Sequence, residues 1–348
     1  NTATATTLEP NVAPVAEDWD RSSSVPVEAI RALAAEGYLG AALPVEEGGM
    51  GLDAVSFGLL CQEVARGSAS LSSLLTVHSM SVHSLFRWGT ESQRARWIPR
   101  LAKGETIGAF ALSEPGAGSD AKSMATKATR EGTHWVLNGT KRWISFGQAA
   151  DVFLTFAADG EGVSAFLVEA DTEGLEILPI TGMLGFRAAG LAELRFRDCR
   201  VGEESLLGRA GLGFGVVANH ALDLGRYSVA WASTGVARAC LAASLGYAGS
   251  REQFGVKLSE HQLIRALLAD MWADVEAAEL LCAEAGRLRD EGSPESIMAT
   301  AVAKYFGARV AVRAASDAVQ IHGATGCHED HPLQRYYRDA KIFEIIEG

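Results

Sequence analysis

A glutamate almost at the last residue of this 348-residue chain, in Phe343-Glu344-Ile345-Ile346-Glu347-Gly348, has two isoleucines directly before it. Burial among apolar groups disfavours the charged form of a carboxylate and so strengthens it as a base. Glu347 is therefore a candidate for proton abstraction, against the plainer reading of a solvated side chain near a frayed end. A second element is Ser113-Glu114-Pro115-Gly116-Ala117-Gly118-Ser119-Asp120. Its glycines let the backbone pass close to an anion and turn N–H groups toward it, and Ser119 adds a hydroxyl donor, a combination that suits a pyrophosphate. Taken alone, such a string is more often a simple turn. Trp143-Ile144-Ser145 follows Asn138-Gly139 and would sit on a rigid strand end, suited to positioning a ring system; otherwise Trp143 only fills core.

Two further motifs invite misreading. Gly211-Leu212-Gly213-Phe214-Gly215 precedes a helix, but no strand bearing an acidic residue follows it, so it reads as a domain junction. The loop at 115–120 lacks the third glycine and following helix of a dinucleotide fold, and a nicotinamide cofactor is not supported. Cys327-His328-Glu329-Asp330-His331 has metal-ligating residue types, yet Pro332 marks a helix start and the polar residues make sense as caps, so no metal is expected.

These groups need elements to hold them. Residues 25–103 show helical periodicity (Ile30, Leu33, Tyr38; Phe57, Leu60, Val64; Leu71, Leu74, Leu75), which predicts an all-helical domain over 1–105. A central β domain is expected over 106–205. In it, Trp135-Val136-Leu137 and Lys141-Arg142-Trp143-Ile144 flank Asn138-Gly139, the signal for a tight hairpin. Val152–Phe156 and Val163–Val168 predict a second hairpin, and Leu194-Arg195-Phe196 a further strand. From 206 to 348, long Ala- and Leu-rich segments broken at Gly255, Gly292-Ser293-Pro294 and Gly323–Gly326 predict a four-helix bundle. The fold class is α+β.

Composition narrows the partners. A formal charge of −12 argues against nucleic acid and against an anionic membrane surface. Five scattered cysteines without a C-x-x-C pair suit reduced thiols. The apolar stretch 229–248 carries Arg238 and reads as a buried helix, not a membrane span. Asn1–Thr7 lacks a basic start and an apolar run, so the expectation is a cytoplasmic protein.

In this order and at these separations, the strings Phe110–Asp120, Lys141–Ser145 and Arg338–Gly348 closely resemble the acyl-CoA dehydrogenase family. The resemblance runs from about Pro26 to Gly348. It implies an FAD enzyme whose cofactor contacts include Phe110, Leu112, Ser113, Gly118 and Ser119, with Ser113 and Ser145 at the polar edge of the isoalloxazine and Trp143 against the ring. It also implies a homodimer or homotetramer: Arg251, Gln253 and Phe254 would reach the FAD of a neighbouring subunit, approached too by Gln320 and Gly323. Glu347 would be the base and Arg226 would help order it. Some relatives carry the base immediately before the arginine matching Arg226; here that residue is Gly225, which leaves Glu347.

The chemistry so implied is removal of the α-proton of an acyl thioester by Glu347, hydride transfer from the β-carbon to flavin N5, and passage of electrons to an electron-transferring flavoprotein. Gly185-Phe186-Arg187-Ala188-Ala189-Gly190 departs from the Ser/Thr-containing loop of many CoA-specific members. Together with Ser228–Trp231 it looks like the branch acting on small, sometimes hydroxylated acyl groups held by acyl carrier proteins for polyketide extender units. Three alternatives stand beside this: an ordinary acyl-CoA dehydrogenase of fatty or branched-chain acid catabolism, a flavin oxidase or monooxygenase on the same scaffold, and a flavin-free interaction protein.

Overall fold

A computed structural model describes residues 12–348. The segment Asn1–Thr7, read above for a leader, and the first residues of the expected helical domain lie outside the described residues. Helices α1 (Ala16–Ser22), α2 (Val27–Ala35), α3 (Ala54–Gly67), α4 (Ala69–Trp88) and α5 (Glu91–Ala102) precede the sheet. Their starts are written locally. The Asp53 carboxylate accepts from Ser56 N at 2.7 Å, Ser68 caps α4, and Thr90 with Gln93 forms a reciprocal capping box on α5.

Strands β1 (Gly108–Ala111), β2 (Lys127–Glu131), β3 (His134–Ile144), β4 (Val152–Ala158), β5 (Val163–Glu169), β6 (Leu175–Pro179), β7 (Ala192–Gly202) and β8 (Leu206–Leu207) make one sheet in the order β6-β7-β3-β2-β4-β5-β8, with β1 paired to β4. The hairpin β4–β5 forms as expected, in register from Val152–Glu169 to Ala158–Val163, and Leu194–Phe196 lies in β7.

The Asn138-Gly139 hairpin does not form. β3 runs straight through that pair, and the turn falls at Gly132-Thr133, joining β2 to β3. Two hydrogen bonds, a register shift and a close backbone approach override the local signal. The Asn138 side-chain amide donates to Asp198 Oδ1 at 3.1 Å and its oxygen accepts from Asp198 N at 2.9 Å. The β3–β7 register shifts between Leu137 and Gly139. A Cβ on Gly139 would lie 2.5 Å from Thr126 Oγ1, so glycine serves close backbone approach there, not a turn.

After the sheet a π-turn over 213–218 leads directly into α6 (Asn219–Ser250), which makes the 211–215 glycine run the junction read from sequence. Next come the small hairpin β9 (Glu252–Gln253) and β10 (Val256–Lys257), then α7 (Gln262–Asp290), α8 (Ser296–His322), α9 (Ala324–Cys327) and α10 (Pro332–Phe343). Pro332 starts α10 and His331 Nδ1 accepts from Leu333 N, the capping role expected of that polar cluster. Helices that precede and follow the sheet in the chain share one apolar core, and the sheet residues form a second. The shared core is tight where α3 meets α6: a Cβ on Gly235 would lie 2.3 Å from Gln62 O. Among the described residues no helix is long and apolar enough to cross a membrane. Four cysteines are buried and Cys327 is exposed, all as free thiols.

Candidate active site

Glu347 follows the end of α10 with a left-handed backbone, φ 61°. Its carbonyl accepts from Arg226 Nε at 2.8 Å, and Lys304 Nζ of α8 donates to Gly348 O at 2.7 Å. Two cations from two helices thus hold successive carbonyls of the peptide that carries the carboxylate. Its Oε2 is shut off from solvent and has no hydrogen-bond partner. Burial pushes the Glu347 carboxyl up to about 7, against the opposing pull of Arg226 and Lys304. A frayed, solvated glutamate is therefore not what the fold makes.

The space that receives this carboxylate is made by a missing side chain. A Cβ on Gly225 would stand 2.6 Å from Glu347 Oε2, 2.8 Å from its Cδ and 2.9 Å from Met80 Sδ. A carboxylate on α6 at position 225 and one at 347 would compete for the same volume. Gly225 was read from sequence only as the place where a base is lacking; its role as the cradle, and that of Met80 as the opposite wall, appear only in three dimensions.

The segments expected to face a ring come together at one end of the sheet. Arg142 N donates to Ser113 O at 2.9 Å, which sets the end of β1 beside the end of β3. Phe110 and Leu112 are buried there, and Ser113 and Ser145 are half-buried. Trp143 is 46 % exposed and has φ 66°, a backbone region that bulky residues seldom occupy. It fills no core. Gly116, Gly118 and Ser119 are exposed, and a Cβ on either glycine would meet nothing within 4 Å. The strand end is bound in turn to α10, the helix that leads to Glu347, through the 185–190 loop: Phe146 N donates to Ala189 O at 2.7 Å, Phe186 N to Asp339 Oδ1 of α10 at 2.7 Å, and Phe186 packs edge-on against Phe343 at 5.1 Å.

The remaining expected contacts lie elsewhere. Arg251 caps the far end of α6, and Gln253 and Phe254 form the tip of the exposed β9–β10 hairpin, with Phe254 96 % exposed at φ 56°. Gln320 and Gly323 are exposed at the end of α8. Arg251 is some 25 residues along the helix from Arg226, about 37 Å of axis. Within one chain this group stands well away from Glu347. His322 stacks on Tyr247 at 4.2 Å and is buried there. Among the described residues no three metal-ligating side chains gather, and His328 instead accepts from Asp330 N.

Comparison with known proteins gives the family. Profiles of the acyl-CoA dehydrogenase N-terminal, middle and C-terminal domains match residues 2–105, 109–199 and 211–348. The chain belongs to the acyl-CoA dehydrogenase family. It is 38 % identical over 346 residues to the mitochondrial short-chain specific acyl-CoA dehydrogenase of Rattus norvegicus, covering 98 % of this chain and 84 % of that one. It superimposes on glutaryl-CoA dehydrogenase of Mycobacterium smegmatis in complex with FADH2 with a TM-score of 0.95 at 32 % identity, over 100 % and 89 % of the two chains. The match to FkbI, of methoxymalonyl extender-unit biosynthesis for the polyketide FK520, has a TM-score of 0.92 at 33 % identity, over 99 % and 95 %. The protein is an oxidoreductase of this family, and its cofactor is FAD. The site fits that cofactor: a half-exposed indole on strained backbone suits a flat ring, and glycines with open flanks suit a pyrophosphate.

Proposed function

We propose that this acyl-CoA dehydrogenase family member oxidises a small acyl thioester with Glu347 as the base that takes the α-proton. The observation that carries the proposal is the enclosed, unpartnered Glu347 Oε2 in the space vacated by Gly225, with its carboxyl raised to about 7. An unpartnered buried oxygen is costly unless something comes to meet it, and a carbon acid is what a base near neutrality is suited to meet. Arg226 and Lys304 hold the peptide in place without pairing directly with Oε2, so the oxygen stays available. Ser113, Ser145, Trp143, Phe110 and Leu112 would hold the ring of FAD, and Gly118 and Ser119 its pyrophosphate. FAD supplies the two-electron acceptor for the oxidation.

Arg251, Gln253, Phe254, Gln320 and Gly323 would serve the FAD of a neighbouring copy. Their distance from Glu347 within one chain supports this, as does the bare Phe254. Exposed Leu263, Trp272, Leu280, Ile297 and Met298 on α7 and α8 give a second copy apolar surface to cover. The oligomer is proposed as a dimer or tetramer, with an electron-transferring flavoprotein as electron acceptor.

For the acyl carrier, the 185–190 loop with buried Ala188 and Ala189, and the likeness to FkbI of extender-unit biosynthesis, support the extender-unit branch, which the sequence resemblance links to an acyl carrier protein. A second reading, CoA, is favoured by the identity to the short-chain enzyme. Anaerobic bleaching of the flavin by matched CoA and carrier-protein thioesters tests both parts. One thioester is expected to bleach the wild type quickly and Glu347→Gln at least 10³-fold more slowly. Equal rates in the two proteins would remove Glu347 as the base.

A further inference from the structure

Lys141 is 0 % exposed, an unusual place for an ammonium group. Its Nζ donates to Glu114 Oε1 at 2.7 Å, to Leu112 O at 3.0 Å and to Met124 Sδ at 3.7 Å, which uses all three N–H groups. The Glu114 carboxylate, also buried, accepts in addition from Ala125 N and from Thr126 N at 3.1 Å. Three chain segments therefore meet at one charge pair: the end of β1, the approach to β2, and the middle of β3. The stretch between Glu114 and Ala125 contains the 115–120 loop.

That loop has little else to fix it. Pro115, Gly116, Gly118, Ser119 and Asp120 are exposed, and Gly116 and Gly118 have open space beside them. Besides the Glu114–Ala117 turn, the buried Ala117 and two bonds from Ser123 to Asp120, it is tied down at its two ends, and the Glu114 carboxylate takes part in both ties. The same pair is adjacent to the ring-facing residues. Ser113 precedes Glu114, Trp143 stands two positions after Lys141, and Arg142 N donates to Ser113 O between them. A buried ion pair is weak evidence for stability, since apolar residues of like volume usually serve as well; fixing one arrangement among several is its better-attested use.

We propose that the Lys141–Glu114 pair is the positioning clamp for FAD, locking the 113–120 loop to β3 so that Ser113, Ser119 and Trp143 are held in binding geometry before the cofactor arrives. Neither side chain needs to touch FAD. The inference rests on the reading above that these three residues contact the cofactor. Removing the clamp loosens the loop, and FAD must then supply the order the pair provided.

The test is FAD affinity of reconstituted apoprotein, by fluorescence titration, with visible circular dichroism of the bound flavin. Glu114→Gln keeps the shape and one acceptor; it is expected to weaken FAD binding at least tenfold and to change the flavin dichroism. The double variant Glu114→Gln/Lys141→Met removes both charges, and is expected to regain thermal stability relative to Lys141→Met alone without regaining FAD affinity. Recovery of affinity together with stability would mean a merely structural pair and overturn the proposal, as would unchanged affinity in Glu114→Gln. Ser113→Ala and Trp143→Ala distinguish the two levels. If these also leave affinity unchanged, the assigned contacts are wrong; if they weaken it and Glu114→Gln does not, only the clamp is wrong.

Discussion

Replacing Gly225 by alanine adds one carbon where Glu347 keeps its carboxylate. The new Cβ would lie 2.6 Å from Oε2 and 2.9 Å from Met80 Sδ, whereas such atoms ordinarily stop near 3.4 Å, so the overlap is about 0.5 to 0.8 Å. Both obstructing atoms are the far ends of flexible side chains, and both can swing. Relaxing them costs on the order of 1 kcal/mol, while alanine in place of glycine inside α6 returns a similar amount of helix propensity. The fold is therefore expected to keep its thermal midpoint within about 3 °C. The proposed base fares differently. A shift approaching 1 Å at a reacting group costs about 10²-fold, so the reductive half-reaction should slow by about that factor with FAD affinity unchanged. Stopped-flow bleaching under anaerobic conditions, with differential scanning fluorimetry on the same sample, measures both. A variant that bleaches within twofold of wild type would refute the claim that the Gly225 space is what places Glu347.

Proton abstraction needs Glu347 ionised. With its carboxyl near 7, bleaching measured as kcat/KM should rise with pH through about 7 and level off above. Lys304→Met, which removes one of the two opposing cations, should move that limb to higher pH; a limb below pH 5, or a downward move, would contradict the assignment. The same shift fixes a stability slope. The folded-state value lies above the unfolded one of about 4.5, so the native state takes up the extra proton, and stability from this group, present at low pH, is lost as pH rises through about 7. The loss is on the order of 3 kcal/mol and should be absent in Glu347→Gln when unfolding is followed against pH. Phe254→Asp, at a 96 % exposed tip, is expected to leave the chain folded but give a smaller species on size-exclusion chromatography with at least tenfold weaker FAD binding; unchanged mass and affinity would argue against sharing of the cofactor.

Local signals carried a large part of this protein. Helix starts with Asp53, Ser68, Thr90 and Pro332, and the Asp159–Gly162 turn, are interactions between residues a few positions apart, so the chain states them without its fold. The strings around Ser113, Trp143 and Glu347 pointed to the family, and with it to FAD, by residue type and order. Where a distant partner outbids a local preference, the reading fails: Asn138-Gly139 has the composition of a turn, yet Asp198 and Thr126 keep it in a strand. Lys141 shares the alternating inward positions of Trp135 and Leu137, a legible hint that it is buried, but nothing near it in sequence shows that Glu114 receives its charge.

Sequence by itself determined which groups are present: one carboxylate among isoleucines, a glycine-rich loop, an indole on a strand end, and a glycine where α6 might have carried an acid. Tertiary structure decided what those groups can do. Burial raises the Glu347 carboxyl against the opposing pull of Arg226 on α6 and Lys304 on α8, and its location comes from a volume beside Met80 of α4 that Gly225 leaves empty 122 residues away. Burial and excluded volume are sums over neighbours from the whole chain, and no window of sequence contains them.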